Sequence, residues 1–151
     1  MSDSGATPAP AAGKPTAGDL AAASPMVRSG ARWFWWIAGL SLVNIVMFQS
    51  GSKTSFVIGL GITTLSDVLF VSAKATGFLI DAVALGFFVL VGWLASQGKL
   101  AAFYVGLAAY VLDALIYVRI QDWMPVAFHA VAIYFIVKGA MALREALQKA
   151  A

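Results

Sequence analysis

Three ionisable side chains that could do chemistry lie inside long apolar stretches of this chain: Asp81, Asp113 and His129. Carboxylates and imidazole can carry protons, bind a metal ion, or act as an acid and a base. Asp113 and His129, the only histidine, lie on opposite sides of a short polar turn at residues 120–125, at similar distances from it. If the chain reverses at that turn, the two side chains come to about the same depth.

The residue types also limit the chemistry that is available. The chain has no cysteine, which excludes disulfides, thiolate metal sites and cysteine nucleophiles. It contains no HExxH, GxSxG or phosphate-loop motif, and no motif that assigns a named family. One histidine and two aspartates match the usual number of protein ligands in a catalytic zinc site, but their spacing in the sequence is unspecific.

The composition indicates a membrane protein. Of the 151 residues, 61% are hydrophobic and 11% are charged, and the mean hydropathy is +0.86. A soluble domain carries about 25% charged residues. Nearly all of the excess apolar sequence follows residue 32, and one soluble core cannot bury it, so we expect the bilayer to be its solvent. The net charge of +3 is small and the basic residues are scattered, which argues against a nucleic-acid partner.

Five apolar segments must position the ionisable groups. Four of them are long enough to span a bilayer: residues 32–48, 75–96, 100–120 and 123–143. The segment at residues 56–73 is interrupted by glycines, hydroxyl side chains and Asp67. It could be a full span, or a re-entrant or surface helix that returns to the side it came from. The predicted fold class is an all-α, polytopic helical bundle in the membrane.

The basic residues favour four spans over five. Five spans would put five lysines and arginines on each side of the membrane. Four spans put seven on one side and three on the other: Lys14, Arg28, Arg32, Lys99, Lys138, Arg144 and Lys149 against Lys53, Lys74 and Arg119. Such a bias is what the positive-inside rule expects. We therefore predict four transmembrane helices plus a re-entrant or surface helix after the first, with both termini in the cytoplasm and five full spans as the alternative.

Counting from the ends of the spans places the polar groups in one layer. Asp81 lies seven residues after Lys74, Asp113 lies six residues before Arg119, and His129 lies a similar distance beyond the turn. At 1.5 Å per residue, all three lie about 10 Å below one face of the membrane. With Asn44 and Asp67 added, the candidate polar site consists of the following residues: Asp81, Asp113, His129, Asp67 and Asn44. Ionisable residues at this depth normally face the bundle interior and have partners.

The segment before the first span has a different composition. Residues 1–30 are rich in alanine, proline, glycine, serine and threonine, and cannot bury enough apolar surface to offset their ordering entropy. We predict a disordered tail at residues 1–30, a transmembrane helical domain at residues 31–147 and a short C-terminal tail at residues 148–151.

Three functions fit this layout. The one we favour is a non-enzymatic structural or accessory component, in which buried Asp, His and Asn side chains hold the helices together. A second is a proton- or ion-coupled transporter that uses Asp81, Asp113 and His129. A third is a metal-assisted intramembrane enzyme at the same residues, although no catalytic residue can be assigned.

The expected partners follow from the same features. They are the lipid bilayer and, because small residues recur at a spacing of four in the segments at residues 75–96 and 100–120, further copies of the chain or other membrane proteins. No cofactor is expected, and the alternative is a divalent metal at Asp81, Asp113 and His129. The expected location is a bacterial cytoplasmic membrane.

Overall fold

The computed structural model describes residues 13–50, 59–70 and 72–151, apart from the side chains of Asp67 and Val68. These residues form the following helices: α1 (Ala17–Ala23), α2 (Pro25–Gln49), α3 (Gly61–Leu69), α4 (Lys74–Ser96), α5 (Leu100–Arg119) and α6 (Trp123–Ala150). There is no strand in the part of the chain that the structure describes. The prediction of an all-α helical bundle is confirmed.

Four helices have the length and composition that a bilayer crossing needs: α2, α4, α5 and α6. The 20 residues of α5 extend about 30 Å, which is the thickness of the hydrocarbon core. In contrast, the nine residues of α3 extend only about 14 Å. The structure therefore has the predicted four long helices and a short helix after the first of them. The fifth full span of the alternative topology is not formed by the described residues of that segment.

The long helices pack as antiparallel neighbours. Gly92, late in α4, lies against Phe34 and Trp35, which are early in α2. Because α2 and α4 run in opposite directions, α3 lies at the end of the bundle where α2 finishes and α4 begins. We call this the α3 end, and we call the opposite end, where α1 lies, the α1 end. The buried core between the ends includes Phe34, Phe103 and Ile136.

Two tight turns join the later helices. Gly98 follows α4 with a φ of +77°, and a side chain at this position would collide with the carbonyl group of Ala17. The turn between α5 and α6 contains Gln121 with a φ of +59°. This turn is the reversal that the sequence predicts between Asp113 and His129.

Ordered helix begins earlier than residue 31. In α1, the Thr16 hydroxyl accepts a hydrogen bond from the Asp19 amide, and the Thr16 amide donates to the Asp19 carboxylate at 2.9 Å. The hydrogen bonds from Thr16 hold the pKa of Asp19 below its ordinary value. Ala21 of α1 is buried in the bundle. The predicted tail thus contains a capped helix in its second half, because this capping box offsets the cost of ordering it.

The domain boundaries differ from the predicted ones for local reasons. The Ser24 hydroxyl caps α2 by accepting from the Val27 amide, and proline at the first helical position favours a start at residue 25. At the other end of the chain, α6 continues to Ala150, through most of the segment predicted as a C-terminal tail. The predicted disorder of residues 1–12 lies outside the described residues.

Candidate functional site

The site is centred on the carboxylate of Asp113, which is buried on α5 and only 6% exposed. Its Oδ2 accepts a hydrogen bond from the Gly61 amide at 2.7 Å, and its Oδ1 accepts from the Ile62 amide at 2.9 Å. These two residues begin α3, and the first amides of a helix have no acceptor within the helix itself. Asp113 therefore caps α3 from a neighbouring helix, with its carboxylate at the end of α3 where the helix dipole favours negative charge.

His129 of α6 is the third partner of this carboxylate. Its Nε2 lies 3.0 Å from Asp113 Oδ2, and its Nδ1 lies 2.8 Å from the carbonyl oxygen of Pro125. A carbonyl oxygen can only accept, so the Nδ1–H donates to Pro125. A hydrogen bond between Nε2 and Oδ2 then requires one proton between these two atoms. The pair holds that proton on the imidazole or on the carboxyl group, and is neutral overall in either case.

Aromatic rings surround the imidazole. The Tyr110 ring stacks on His129 with 4.3 Å between centroids and 15° between planes, and the Tyr117 ring lies at 5.4 Å and tilted. The Tyr117 hydroxyl donates to the carbonyl oxygen of Gly59 at 3.3 Å, and lies 3.3 Å from the Thr64 hydroxyl. The rings thus bury the pair between α5 and α6, and Tyr117 makes a further connection to α3.

Asp81 of α4 contacts a different part of α3. The Ser66 hydroxyl lies 2.9 Å from Asp81 Oδ1 and 3.1 Å from the carbonyl oxygen of Gly77. A hydroxyl has one hydrogen, so it cannot donate fully to both acceptors if Asp81 is ionised. A protonated carboxyl resolves the conflict, because Asp81 then donates to Ser66 and Ser66 donates to Gly77. Asp81 Oδ2 is buried without a hydrogen-bond partner among the described residues, and a neutral carboxyl tolerates this better than an anion.

Two residues of α2 contact the chain at the start of α3. The buried Ser41 hydroxyl accepts from the Leu60 amide at 2.9 Å and donates to the Ile37 carbonyl at 2.8 Å. Asn44 lies directly against Gly59, where an added Cβ would collide with the Asn44 amide nitrogen. The start of α3 is therefore held by side chains from α2 and α5, and His129 of α6 contacts the α5 carboxylate that takes part.

The structure brings Asp113 and His129 into direct contact and places Asp81 elsewhere, near the middle of α3. It contains no group of three histidine, aspartate or glutamate side chains suited to a metal ion within residues 13–50, 59–70 and 72–151. Asp81, Asp113 and His129 therefore do not converge as the ligand set considered from the sequence. The side chain of Asp67 lies outside the described residues.

Several partners at the site are not apparent from the sequence. They are the hydroxyls of Ser41 and Ser66, the backbone amides that begin α3, and the rings of Tyr110 and Tyr117. The one signal in the sequence is that a hydroxyl in an apolar helix must find a hydrogen bond. This signal marks Ser41 and Ser66 as polar groups to be satisfied, but it names no partner.

A groove runs between α4 and α5 beside the site. Its volume is about 640 Å³, and apolar side chains such as Val83, Phe87, Leu112 and Ile116 line it. Among the described residues of this lining, Asp113 is the only polar one. The groove brings the capping carboxylate close to the surface that would face lipid acyl chains.

Comparisons with known proteins give no family. No protein-family model matches the chain, and neither the curated proteins nor the solved structures contain a match.

Proposed function

We propose that this chain is a non-enzymatic accessory protein of the membrane, whose buried polar residues hold a half-membrane helix, α3, inside a four-span bundle. The observation that carries the proposal is the use of the Asp113 carboxylate. It accepts from the two amides that begin α3 and contacts His129. Of the roughly four lone-pair positions on a carboxylate, about three are thus occupied by the protein itself. This leaves little capacity for a substrate or a metal ion.

The cost of a helix end inside a bilayer supports the same role. Each backbone group left without a hydrogen bond in the hydrocarbon region costs several kcal/mol. Asp113 satisfies the amides of Gly61 and Ile62, and Ser41 satisfies that of Leu60. A nine-residue helix that begins within the bundle needs such contacts, so the polar layer accounts for a fold that apolar packing alone would not support.

Charge at the two ends supports an orientation. The described basic residues lie mainly at the α1 end: Lys14, Arg28, Arg32, Lys99, Lys138, Arg144 and Lys149. Lys74 and Arg119 lie at the α3 end, and Lys53 lies outside the described residues. By the positive-inside rule, the α1 end and both termini belong in the cytoplasm. The proposed location is a bacterial cytoplasmic membrane. The proposed partners are further copies of this chain or other membrane proteins.

Hydrogen exchange tests whether Asp113 holds α3 in place. In Asp113→Asn, one of the three donors that face the carboxylate will meet an amide NH₂ group, because an amide has only one acceptor oxygen. We expect the α3 backbone amides to exchange faster in this variant, with little change in the middle of α5 and α6. Asp122→Asn is the matched control, since Asp122 is exposed and its side chain makes no capping hydrogen bond. Unchanged exchange of α3 in Asp113→Asn would contradict the proposal.

Proton-coupled transport is the second candidate function, and one observation favours it. Asp81 and the Asp113–His129 pair each have hydrogen-bond geometry suited to holding one proton, and both contact α3. Reconstituted vesicles with an internal pH-sensitive dye test this function. Proton flux that is present in the wild type and lost in a folded Asp81→Asn variant would support transport. The accessory function predicts no flux through the wild-type protein.

A further inference from the structure

A small cavity lies at the α1 end, between the start of α2 and the end of α4. Its volume is about 350 Å³, and it is lined by Pro25, Arg28, Ala31, Arg32, Trp35 and Ser96. It is remote from α3 and from the buried polar layer. Its basic lining suits an anion, whereas the described lining of the groove beside Asp113 is apolar and offers an anion no positive charge.

Two guanidinium groups dominate the cavity. Arg28 and Arg32 are four residues apart on α2, so their side chains lie on the same face of the helix, and both are exposed. Within the part of the chain that the structure describes, the ion pairs are Asp113–His129 and Glu145–Lys149, and neither arginine takes part. The carboxylate of Asp19 in α1 is hydrogen-bonded to Thr16 instead. The charge of these two arginines is therefore available for an external anion.

An apolar ring lies next to the two charges, on the side toward the middle of the bundle. Trp35 follows Arg32 by three residues and is 44% exposed. Its indole packs against α4 at Gly92, where an added Cβ would come within 3.0 Å of the indole nitrogen. Tryptophan favours the boundary between headgroups and acyl chains. The cavity thus combines positive charge at the headgroup level with an aromatic wall at the start of the acyl region.

We propose that this cavity binds the phosphate of an anionic phospholipid, with Arg28 and Arg32 on the phosphate and Trp35 against the upper part of an acyl chain. Guanidinium groups recognise phosphate oxygens by paired hydrogen bonds. The cytoplasmic leaflet is rich in anionic lipids, and the basic α1 end fits that leaflet. The cavity lies at the opposite end of the molecule from α3, so lipid binding there rests on the proposed cytoplasmic placement of the α1 end and not on the role of α3.

Native mass spectrometry of the purified full-length chain, titrated with lipid, tests the proposal. We expect phosphatidylglycerol to bind more tightly than phosphatidylcholine. Arg28→Gln and Arg32→Gln should each weaken phosphatidylglycerol binding about fivefold, and the double variant about 25-fold, because each basic residue near an anionic surface contributes a factor of about five. Binding of phosphatidylcholine should be nearly unchanged in all of them.

Arg119→Gln is the matched control, because it removes an exposed arginine from the α3 end and should leave the titration unchanged. Thermal unfolding of the double variant should match that of the wild type, since both substituted side chains are exposed. Equal binding of the two lipids by the wild type would overturn the proposal, as would full phosphatidylglycerol binding by a folded double variant. Displacement of phosphatidylglycerol by millimolar inorganic phosphate would assign the cavity to a free anion and would also overturn it.

Discussion

Asp113 and Asp81 are buried aspartates that contact the same short helix, yet their surroundings differ. Asp113 faces two backbone amides and an imidazole, all of which can donate hydrogen bonds to it. Asp81 faces one hydroxyl that is shared with a carbonyl oxygen, and its second oxygen has no hydrogen-bond partner among the described residues. The surroundings of Asp113 suit a carboxylate, whereas those of Asp81 suit a neutral carboxyl group.

This difference separates two uses of the same residue type in positions for which the sequence predicts a similar depth. Asp113 supplies acceptors that a helix beginning inside the bundle cannot find in its own backbone. Asp81 fits a contact in which the acid serves as a donor to Ser66. Depth alone would assign the two residues the same role, and only their partners distinguish them.

The largest expected difference in stability is between two single variants, Asp113→Asn and Asp81→Asn. Asp113→Asn should lower the free energy of unfolding by about 3–5 kcal/mol, the usual cost of removing one partner of a buried charged pair. Asp81→Asn should lower it by less than about 1 kcal/mol, because the asparagine NH₂ group can donate to Ser66 as a protonated acid would. Denaturant titration in detergent micelles measures both values. Equal losses would remove the distinction between the two carboxyl groups.

Glycines near the two sites give a second comparison. An added Cβ at Gly61, next to Asp113, would lie 3.1 Å from side-chain atoms of Ile116 and Tyr117. Gly61→Ala should therefore cost about 1–3 kcal/mol through overpacking. Near Asp81, an added Cβ at Gly77 has no neighbour closer than 3.4 Å, so Gly77→Ala should change stability by less than about 1 kcal/mol. The same unfolding titration applies, and a larger loss at Gly77 would contradict this packing.

A smaller effect is expected from the hydroxyl between α3 and α4. Ser66→Ala removes the hydrogen-bond partner of Asp81 and should cost about 1 kcal/mol in the wild-type background. In the Asp81→Asn background the cost should be similar, because asparagine keeps the contact. Ser96→Ala is the control, since Ser96 is exposed and bonds only within its own helix. Thermal unfolding monitored by circular dichroism measures the stability of each variant. No loss of stability in Ser66→Ala would show that the hydroxyl does not connect the two helices.

The smallest effect concerns a third aspartate, Asp19, which belongs to an exposed cap rather than a buried one. Its pKa is lowered by the hydrogen bonds from Thr16, so the contribution of the cap is present above pH 3.8 and is lost as the pH falls through the lower pKa of the folded state. Local unfolding of α1 should therefore increase in acid, while Asp19→Asn should show a weaker dependence on pH. Hydrogen exchange of the α1 amides as a function of pH measures this. Identical profiles for the two proteins would contradict it.

Much of the fold could be predicted from the sequence, because hydropathy and length determine which helices can cross a bilayer. The reversal at residues 120–125 also places Asp113 and His129 at one depth, and the structure has them 3.0 Å apart. Depth could not predict helix rotation, so it could not reveal that Asp81 turns toward Ser66 rather than toward Asp113. The capping of α3 by Asp113 could not be predicted from the sequence either, because it depends on where this short helix enters the bundle.

The boundary of the helical domain could have been predicted better. Thr16 and Asp19 have the spacing of a capping box, and Ser24 followed by Pro25 is a typical helix start. Composition favoured disorder in this segment because alanine, proline and glycine dominate it. Capping patterns indicate where individual helices begin, whereas the average composition of a segment does not.

A double-mutant cycle between Asp113 and His129 tests most directly whether the buried pair holds α3 in the bundle. It compares unfolding free energies of Asp113→Asn, His129→Gln and the double variant. We predict a coupling of at least about 1 kcal/mol for this pair, and additivity within about 0.5 kcal/mol for the matched cycle of Asp113→Asn with Asp81→Asn. Additive losses for Asp113 and His129 would contradict the account, because they would mean that the two side chains stabilise the fold independently.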